Sequence, residues 1–212
     1  MLRPEPGASA TLARAKEAGL DAVAIPLFEV AAVAWSAPAA SDYDALLLTS
    51  ANAALHGGPK LATLGGLPTY CVGEATATAA RAAGLQVVAT GDGDGGALLA
   101  QIPRGLKLLH LTGVHHQIIP MADQIAVYAS RAIDPPPALD VLNGAVALIH
   151  SARAGERLGE LVRHRGSITI AAISRAAAQA CGDGWRAVEA SETPTDGALL
   201  ALASELCQTI RR

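Results

Sequence analysis

ALLLTSANAA, from Ala45 to Ala54, is an apolar run closed by Ser-Ala-x-Ala, and VALIHSARAG, from Val146 to Gly155, has the same form 101 positions later. The offset persists further along both copies. YCVGEATATAARAAGLQVVAT (Tyr70 to Thr90) resembles AAISRAAAQACGDGWRAVEAS (Ala171 to Ser191), with Gly73 opposite Ser174, and GGALLA (Gly95 to Ala100) returns as DGALLA (Asp196 to Ala201). A repeat of about half the chain sets the architecture before any single motif does. Each copy reads strand, turn, helix, strand, turn, helix, short strand, loop, helix. Apolar runs of about four to six residues bounded by Gly or Ser predict strands buried on both faces, and Ala-rich stretches with 3.6-residue spacing predict helices. Alternation of this kind predicts parallel sheets with helices on both sides, an α/β fold of doubly wound type.

The segments outside the repeat predict how the halves are joined. RPEPGASATLARAKEAGLDAVAIPLFEV (Arg3 to Val30) reads as a helix-turn-strand without an upstream partner, and LKLLHLTG (Leu106 to Gly113) adds a strand to the first half. A domain of three strands is thin, so the N-terminal unit is expected to join the C-terminal half. The expected division is residues 1–30 with 134–212 as one discontinuous domain and 36–124 as the other. Linkers at 31–35 and 125–133 lie within two extended candidates, IPLFEVAAVAW (Ile25 to Trp35) and IAVYASRAI (Ile125 to Ile133). The prolines of DPPP (Asp134 to Pro137) follow the second, where a chain leaves a strand for a stiff connector.

Composition excludes several function classes. Of 212 residues, 51% are hydrophobic and only 3% aromatic, so the interior must be built from Ala, Val, Leu and Ile. The formal charge of −3, with no Lys/Arg run, offers no electrostatic footprint for nucleic acid or an anionic membrane. Three widely spaced cysteines (Cys71, Cys181, Cys207) without a CxxC suggest neither a disulfide framework nor a zinc knuckle, but small buried residues of a reducing compartment. MLRPEPGASA at the start has no basic region leading into an apolar stretch, and no run of about eighteen uncharged apolar residues occurs. A cytoplasmic chain is expected. No GxGxxG follows the first strand, as a Rossmann dehydrogenase would need.

The ordered series RPEP, AIPLFEV, YDALLLTSANA, YCVGEATATAARAAGL, DGGALLA, LLHLTG, VYASRA, ALIHSARA, IAAISRAAAQA and TPTDGALLA resembles the uroporphyrinogen-III synthases along nearly the full length. The resemblance implies two doubly wound parallel-sheet domains joined by a two-stranded antiparallel ladder, with the active site in a cleft between them. It also implies a monomer that uses no cofactor and no metal. The implied reaction cyclises hydroxymethylbilane, a flexible linear tetrapyrrole bearing many carboxylates, to uroporphyrinogen III. The terminal hydroxyl leaves, driven by pyrrole nitrogen, and the resulting azafulvene closes through a spiro intermediate that inverts ring D. The principal task is then geometric, an orientation effect that can supply ~7 kcal/mol or more in ideal cases. A catalytically silent ligand-binding module of the same fold is the alternative, since fold alone does not specify function.

Carboxylates need donors, and strand-to-helix junctions supply them without lysines. Free N–H groups of a first helical turn point beyond the sheet edge where doubly wound sheets bind ligands. Thr49, Ser50, Ala51 and Asn52 form one such mouth, and Gly73, Glu74, Ala75 and Thr76 a second. In the other half the counterparts are His150, Ser151, Ala152 and Arg153, then Ser174 and Arg175. The bland reading of each Ser or Thr is a helix cap. From the resemblance, Arg3 is a candidate to face the cleft and Gly113 a candidate substrate contact, with His115 and His116 standing where the family has a basic residue. Tyr128, in QIAVYAS, matches the family tyrosine proposed to assist departure of the hydroxyl. A phenol suits that role because it carries its proton at neutral pH and adds no positive charge. The histidine spacing fits no metal motif, and GDGDGG (Gly91 to Gly96) lacks both a GKS/T and an EF-hand glutamate, so it reads as a mobile loop capping a helix.

Overall fold

The computed structural model describes residues 1–91, 95–116 and 118–210. The chain runs α1 (Gly7–Glu17), β1 (Phe28–Ala32), β2 (Ala45–Leu48), α2 (Ala51–His56), β3 (Pro68–Cys71), α3 (Glu74–Ala82), β4 (Gln86–Thr90), α4 (Gly95–Gln101), β5 (Leu108–Gly113) and β6 (Ala122–Ala132). It continues through β7 (Val146–Ile149), α5 (Ala152–Leu161), β8 (Thr169–Ala172), α6 (Arg175–Ala180), β9 (Ala187–Ala190) and α7 (Asp196–Ile210). The repeat is physical: β7, α5, β8, α6, β9 and α7 each begin 101 residues after β2, α2, β3, α3, β4 and α4. The reading of GDGDGG as a mobile loop falls on residues 92–94, outside the described residues.

One sheet has the order β1-β6-β5-β2-β3-β4, and the other β7-β8-β9. From β6 to β4 every pairing is parallel, with Leu48 beside both Leu111 and Cys71. The β1–β6 pair is antiparallel: the Val33 N–H donates to the Val127 carbonyl and the Ile133 N–H to the Leu27 carbonyl, so one numbering rises as the other falls. By contact density the chain divides into two compact units, Met1–Glu29 with Arg131–Arg212, and Val30–Ser130. It passes from one to the other inside β1 and back inside β6.

In the unit of residues 30–130, side-chain alternation assigns the central strands to two apolar layers. Leu46, Leu48, Leu109 and Leu111 pack with Ala53 of α2 and Ala77 and Ala80 of α3. Ala45, Leu47 and Leu108 pack with Leu98 and Ile102 on the α4 side. Both layers are dry, as the full burial of Leu46, Leu47 and Leu48 requires, and each such leucine contributes about 1.5–3 kcal/mol. Alanine on the helix faces lets them lie close to the sheet. Truncation of Leu47 to Ala would therefore leave a cavity costing about 2–5 kcal/mol.

The other unit is built the same way. Leu2, Leu27, Ile149, Leu158, Ile170 and Trp185 share one core, and Ala15, Leu148, Ala171, Leu199, Leu200 and Ala203 the second. Here the N-terminal residues do the work of a strand: the Ile25 N–H donates to the Met1 carbonyl at 2.8 Å and the Leu27 N–H to the Leu2 carbonyl at 3.1 Å. Leu2, wholly buried, then closes the layer that the three-stranded sheet leaves open.

Candidate active site

β2 and β5 run side by side, and residues of β5, β6 and α4 and of the segments that follow β2, β3 and β5 surround a cavity of about 840 Å³. Its polar lining includes Thr49, Ser50, His110, Thr112, His116 and Tyr128, and no carboxylate is among the described lining residues. Thr49 is exposed at the end of β2. Ser50 is the N-cap of α2, its Oγ accepting from the Asn52 N–H at 3.2 Å, which leaves its own hydroxyl proton to donate. Val114, Ile118 and Met121 put exposed apolar side chains on the segment that follows β5.

His110 occupies the β5 position that alternation places on the side of Leu108 and Thr112, and it is 1% exposed. Its Nε2 lies 2.9 Å from Thr49 Oγ1, while its Nδ1 is buried without a partner among the described residues. Burial, helped by His116, pushes the His110 ring down to about 4, so the ring is neutral at neutral pH. The two imidazoles stand nearly perpendicular, 6.3 Å apart. His116 Nδ1 lies 2.7 Å from the Gly113 carbonyl, and because a carbonyl only accepts, Nδ1 carries a proton.

Tyr128 stands opposite Gly113 in the β5–β6 register, where the pairing shifts by a residue. Its ring covers the Gly113 backbone so closely that a Cβ on Gly113 would lie 2.7 Å from Tyr128 Cε2. The ring is half-buried, with the His56 ring 6.3 Å away. Among the described residues the Tyr128 hydroxyl has no hydrogen-bond partner, so its proton is available to a ligand. The cavity thus presents hydroxyl and imidazole groups and lies within the size range of small-molecule sites.

The remaining candidates are placed differently. Ala51 and Asn52 begin α2, and Gly73 caps α3. The Thr76 N–H donates to the Gly73 carbonyl and Thr76 itself is only 7% exposed, whereas the N–H groups of Ala51, Glu74 and Ala75 have no acceptor among the described residues. Glu74 turns its carboxylate to Arg81 at 2.8 Å. In the other unit, Ser151 and Ser174 accept from the N–H groups of Ala154 and Ala177, each at 3.2 Å, so both side chains are caps. Ala152 opens α5 behind Ser151. Gly113 is buried beneath the tyrosine ring.

Arg3 belongs to a cluster that no sequence motif announced. His150, at the repeat position of Thr49, puts Nε2 2.9 Å from Asp196 Oδ1. Asp196 also accepts from Thr11 Oγ1 at 2.8 Å, Arg14 Nε at 2.7 Å and Arg3 Nη1 at 3.3 Å, and the Arg3 guanidinium fills the space a Cβ on Gly7 would need. The signal was present as a paired departure from the repeat: His150 replaces Thr49, and Asp196 replaces Gly95. His110 carried no comparable signal, since an isolated histidine in an apolar run does not reveal which neighbouring strand end it meets.

The sequence pattern of the uroporphyrinogen-III synthase HemD family matches residues 9–201. The chain belongs to that family. Its fold is similar to that of the uroporphyrinogen-III synthetase from Helicobacter pylori, with 17% identity and a TM-score of 0.66 over 88% of this chain and 93% of that one. The uroporphyrinogen III synthase of the extremely thermophilic bacterium Thermus thermophilus aligns over 100% of both chains with 19% identity and a TM-score of 0.43. No curated protein matches the sequence. As a member of the uroporphyrinogen-III synthase family the chain is a lyase that cyclises hydroxymethylbilane in tetrapyrrole biosynthesis. Among the described residues, no helix is long and apolar enough to cross a membrane.

Proposed function

We propose that the chain forms uroporphyrinogen III, with loss of water and inversion of ring D, and that Tyr128 is its proton donor. In this reading the Tyr128 hydroxyl donates to the departing hydroxyl of hydroxymethylbilane, which leaves as water while a pyrrole nitrogen supplies the electron pair. The azafulvene that remains is attacked by the substituted carbon of the last ring, and the spiro intermediate rearranges with that ring inverted. The observation that carries the proposal is the unpartnered Tyr128 hydroxyl on a cavity lined by hydroxyl and imidazole groups and free of carboxylates among the described residues. A carboxylate there would repel a polyanionic substrate. Thr49 and Ser50 then act as hydroxyl donors to substrate carboxylates, and the open N–H groups at Ala51, Glu74 and Ala75 add backbone donors. Gly113 serves by its lack of a side chain. We place the enzyme in the cytoplasm as a monomer.

Incubation with enzymatically generated hydroxymethylbilane, followed by oxidation and chromatography of the isomers, tests the reading. The type III isomer in excess over the spontaneous product is expected. Type I isomer alone would leave only the silent binding module.

A further inference from the structure

The His110–Thr49 contact holds a question that the proposed chemistry does not answer: why a buried imidazole should lie in the middle of an apolar strand, with one nitrogen unpaired among the described residues. The ring is neutral at neutral pH, so it has one proton to place. Either placement leaves Nδ1 unpaired among the described residues, as a donor or as an acceptor, and an orphaned buried N–H is the rarer of the two. On Nε2 the proton is satisfied, with Thr49 Oγ1 2.9 Å from the nitrogen. In the Nε2–H tautomer Thr49 Oγ1 accepts. The direction matters, because a hydroxyl oxygen that already accepts has its own proton free, and accepting polarises that O–H into a better donor. Thr49 is exposed and lines the cavity. Its χ1 is restricted by β-branching, so a fixed oxygen leaves few directions for the proton.

We infer that His110 is a positioning residue for ligand recognition: through Nε2–H it fixes the Thr49 hydroxyl as a donor to a carboxylate of the linear tetrapyrrole. A carboxylate is the matching chemistry because it only accepts, and the cavity's polar groups offer protons. The inference rests on the proposed substrate class, and it explains a polar residue that packing alone would disfavour. A leucine in place of His110 would continue the apolar run of Leu108, Leu109 and Leu111 while leaving the Thr49 hydroxyl unsteered.

Two measurements test it without turnover. Two-bond proton–nitrogen correlations on the ¹⁵N-labelled protein report which His110 nitrogen is protonated; Nε2 is expected, and a proton on Nδ1 would overturn the inference. Calorimetric titration with uroporphyrinogen III, in the absence of oxygen, gives the affinity. His110→Phe and Thr49→Val should each weaken binding about tenfold, the scale of one hydrogen bond to a charged group. His110→Gln, which can donate from about the same place, should restore most of the loss. The double variant should bind no worse than Thr49→Val, because His110 acts through Thr49. Additive losses, no rescue by Gln, unaltered binding in His110→Phe or no binding by the parent would each sink the idea. If His110→Phe fails to fold, the Gln variant and the nitrogen correlations still decide. The isomer assay is separate: a parent that binds as described but yields only type I isomer would remove the cyclisation reading and leave the positioning role intact.

Discussion

Gly113 and Tyr128 are register partners on β5 and β6, and the tyrosine ring rests on bare glycine backbone, with Cε2 2.7 Å from where a Cβ would be. The glycine thereby sets the height of the phenol above the strand. The His116 imidazole, held by the same residue's carbonyl, approaches from the following segment.

Gly113→Ala should consequently move the ring. The new methyl cannot coexist with Cε2 at that distance, and displacing a reacting group by about 1 Å costs on the order of 10²-fold in rate. A fall in kcat of tenfold or more is expected, with substrate affinity less affected. Steady-state kinetics on the purified variant would check this. A parent-like kcat would mean that Tyr128 has no positional role.

Tyr128→Phe keeps the ring over Gly113 and removes only the donor. Because one general-acid contact is worth about 10² to 10⁴ in rate, turnover should fall by tens-fold or more with an unchanged melting curve. Continued formation of type III isomer at the parent rate would assign Tyr128 to packing and leave catalysis to positioning by backbone and hydroxyl donors.

Asp196 gathers Arg3, Thr11, Arg14 and His150, and it should carry part of the acid stability of its unit. Burial by itself would raise its carboxyl, but hydrogen bonds from Thr11, Arg14 and His150 outweigh that and hold it below the ordinary value. A depressed carboxyl contributes stability above its unfolded value, near about 4, that is lost as pH falls through the lower folded value. Burial also holds His150 below its ordinary value, against the pull of Asp196. The unfolded chain therefore binds that proton more readily, and stability declines below about pH 6.5 as well. Asp196→Asn should lower the melting temperature by several degrees at neutral pH and less at strongly acid pH. Calorimetric scans of both proteins across pH would show the curves converging; a gap independent of pH would exclude ion pairing as the cause.

Elimination of water and ring closure involve no net redox change, so the reading requires no cofactor. Activity should be retained in full after incubation with a chelator and desalting. Recovery only on return of a divalent metal or a nucleotide would show that the chemistry has been misassigned.

The layered α/β architecture could be read from the sequence because it rests on local periodicity. Apolar runs such as Ala45–Leu48 and Val146–Ile149 are too apolar for any surface position, alanine spacing identifies helix faces, and a repeat at constant offset copies each assignment. The caps were legible for the same reason, as Ser50, Ser151 and Ser174 bond within their own helical turns. Tyr128 was a candidate only through the order of motifs that the family shares.

What the sequence could not supply were contacts between residues far apart along it. His110 meets Thr49 because parallel pairing sets β5 beside β2 in one register; a shift of one residue would turn the imidazole to the opposite face. Arg3 was a candidate to face the cleft, and its place with Asp196, across 193 positions of chain, depends on α1 and α7 packing together. The two strand-end positions also diverge chemically despite equivalent backbones: His150 is closed off by Asp196, whereas Thr49 opens on the cavity. Periodicity determines which face a side chain occupies, since that follows from backbone geometry within a few residues. Only tertiary packing decides which groups meet there, because hydrogen-bond partners and burial depend on the register between separate strands.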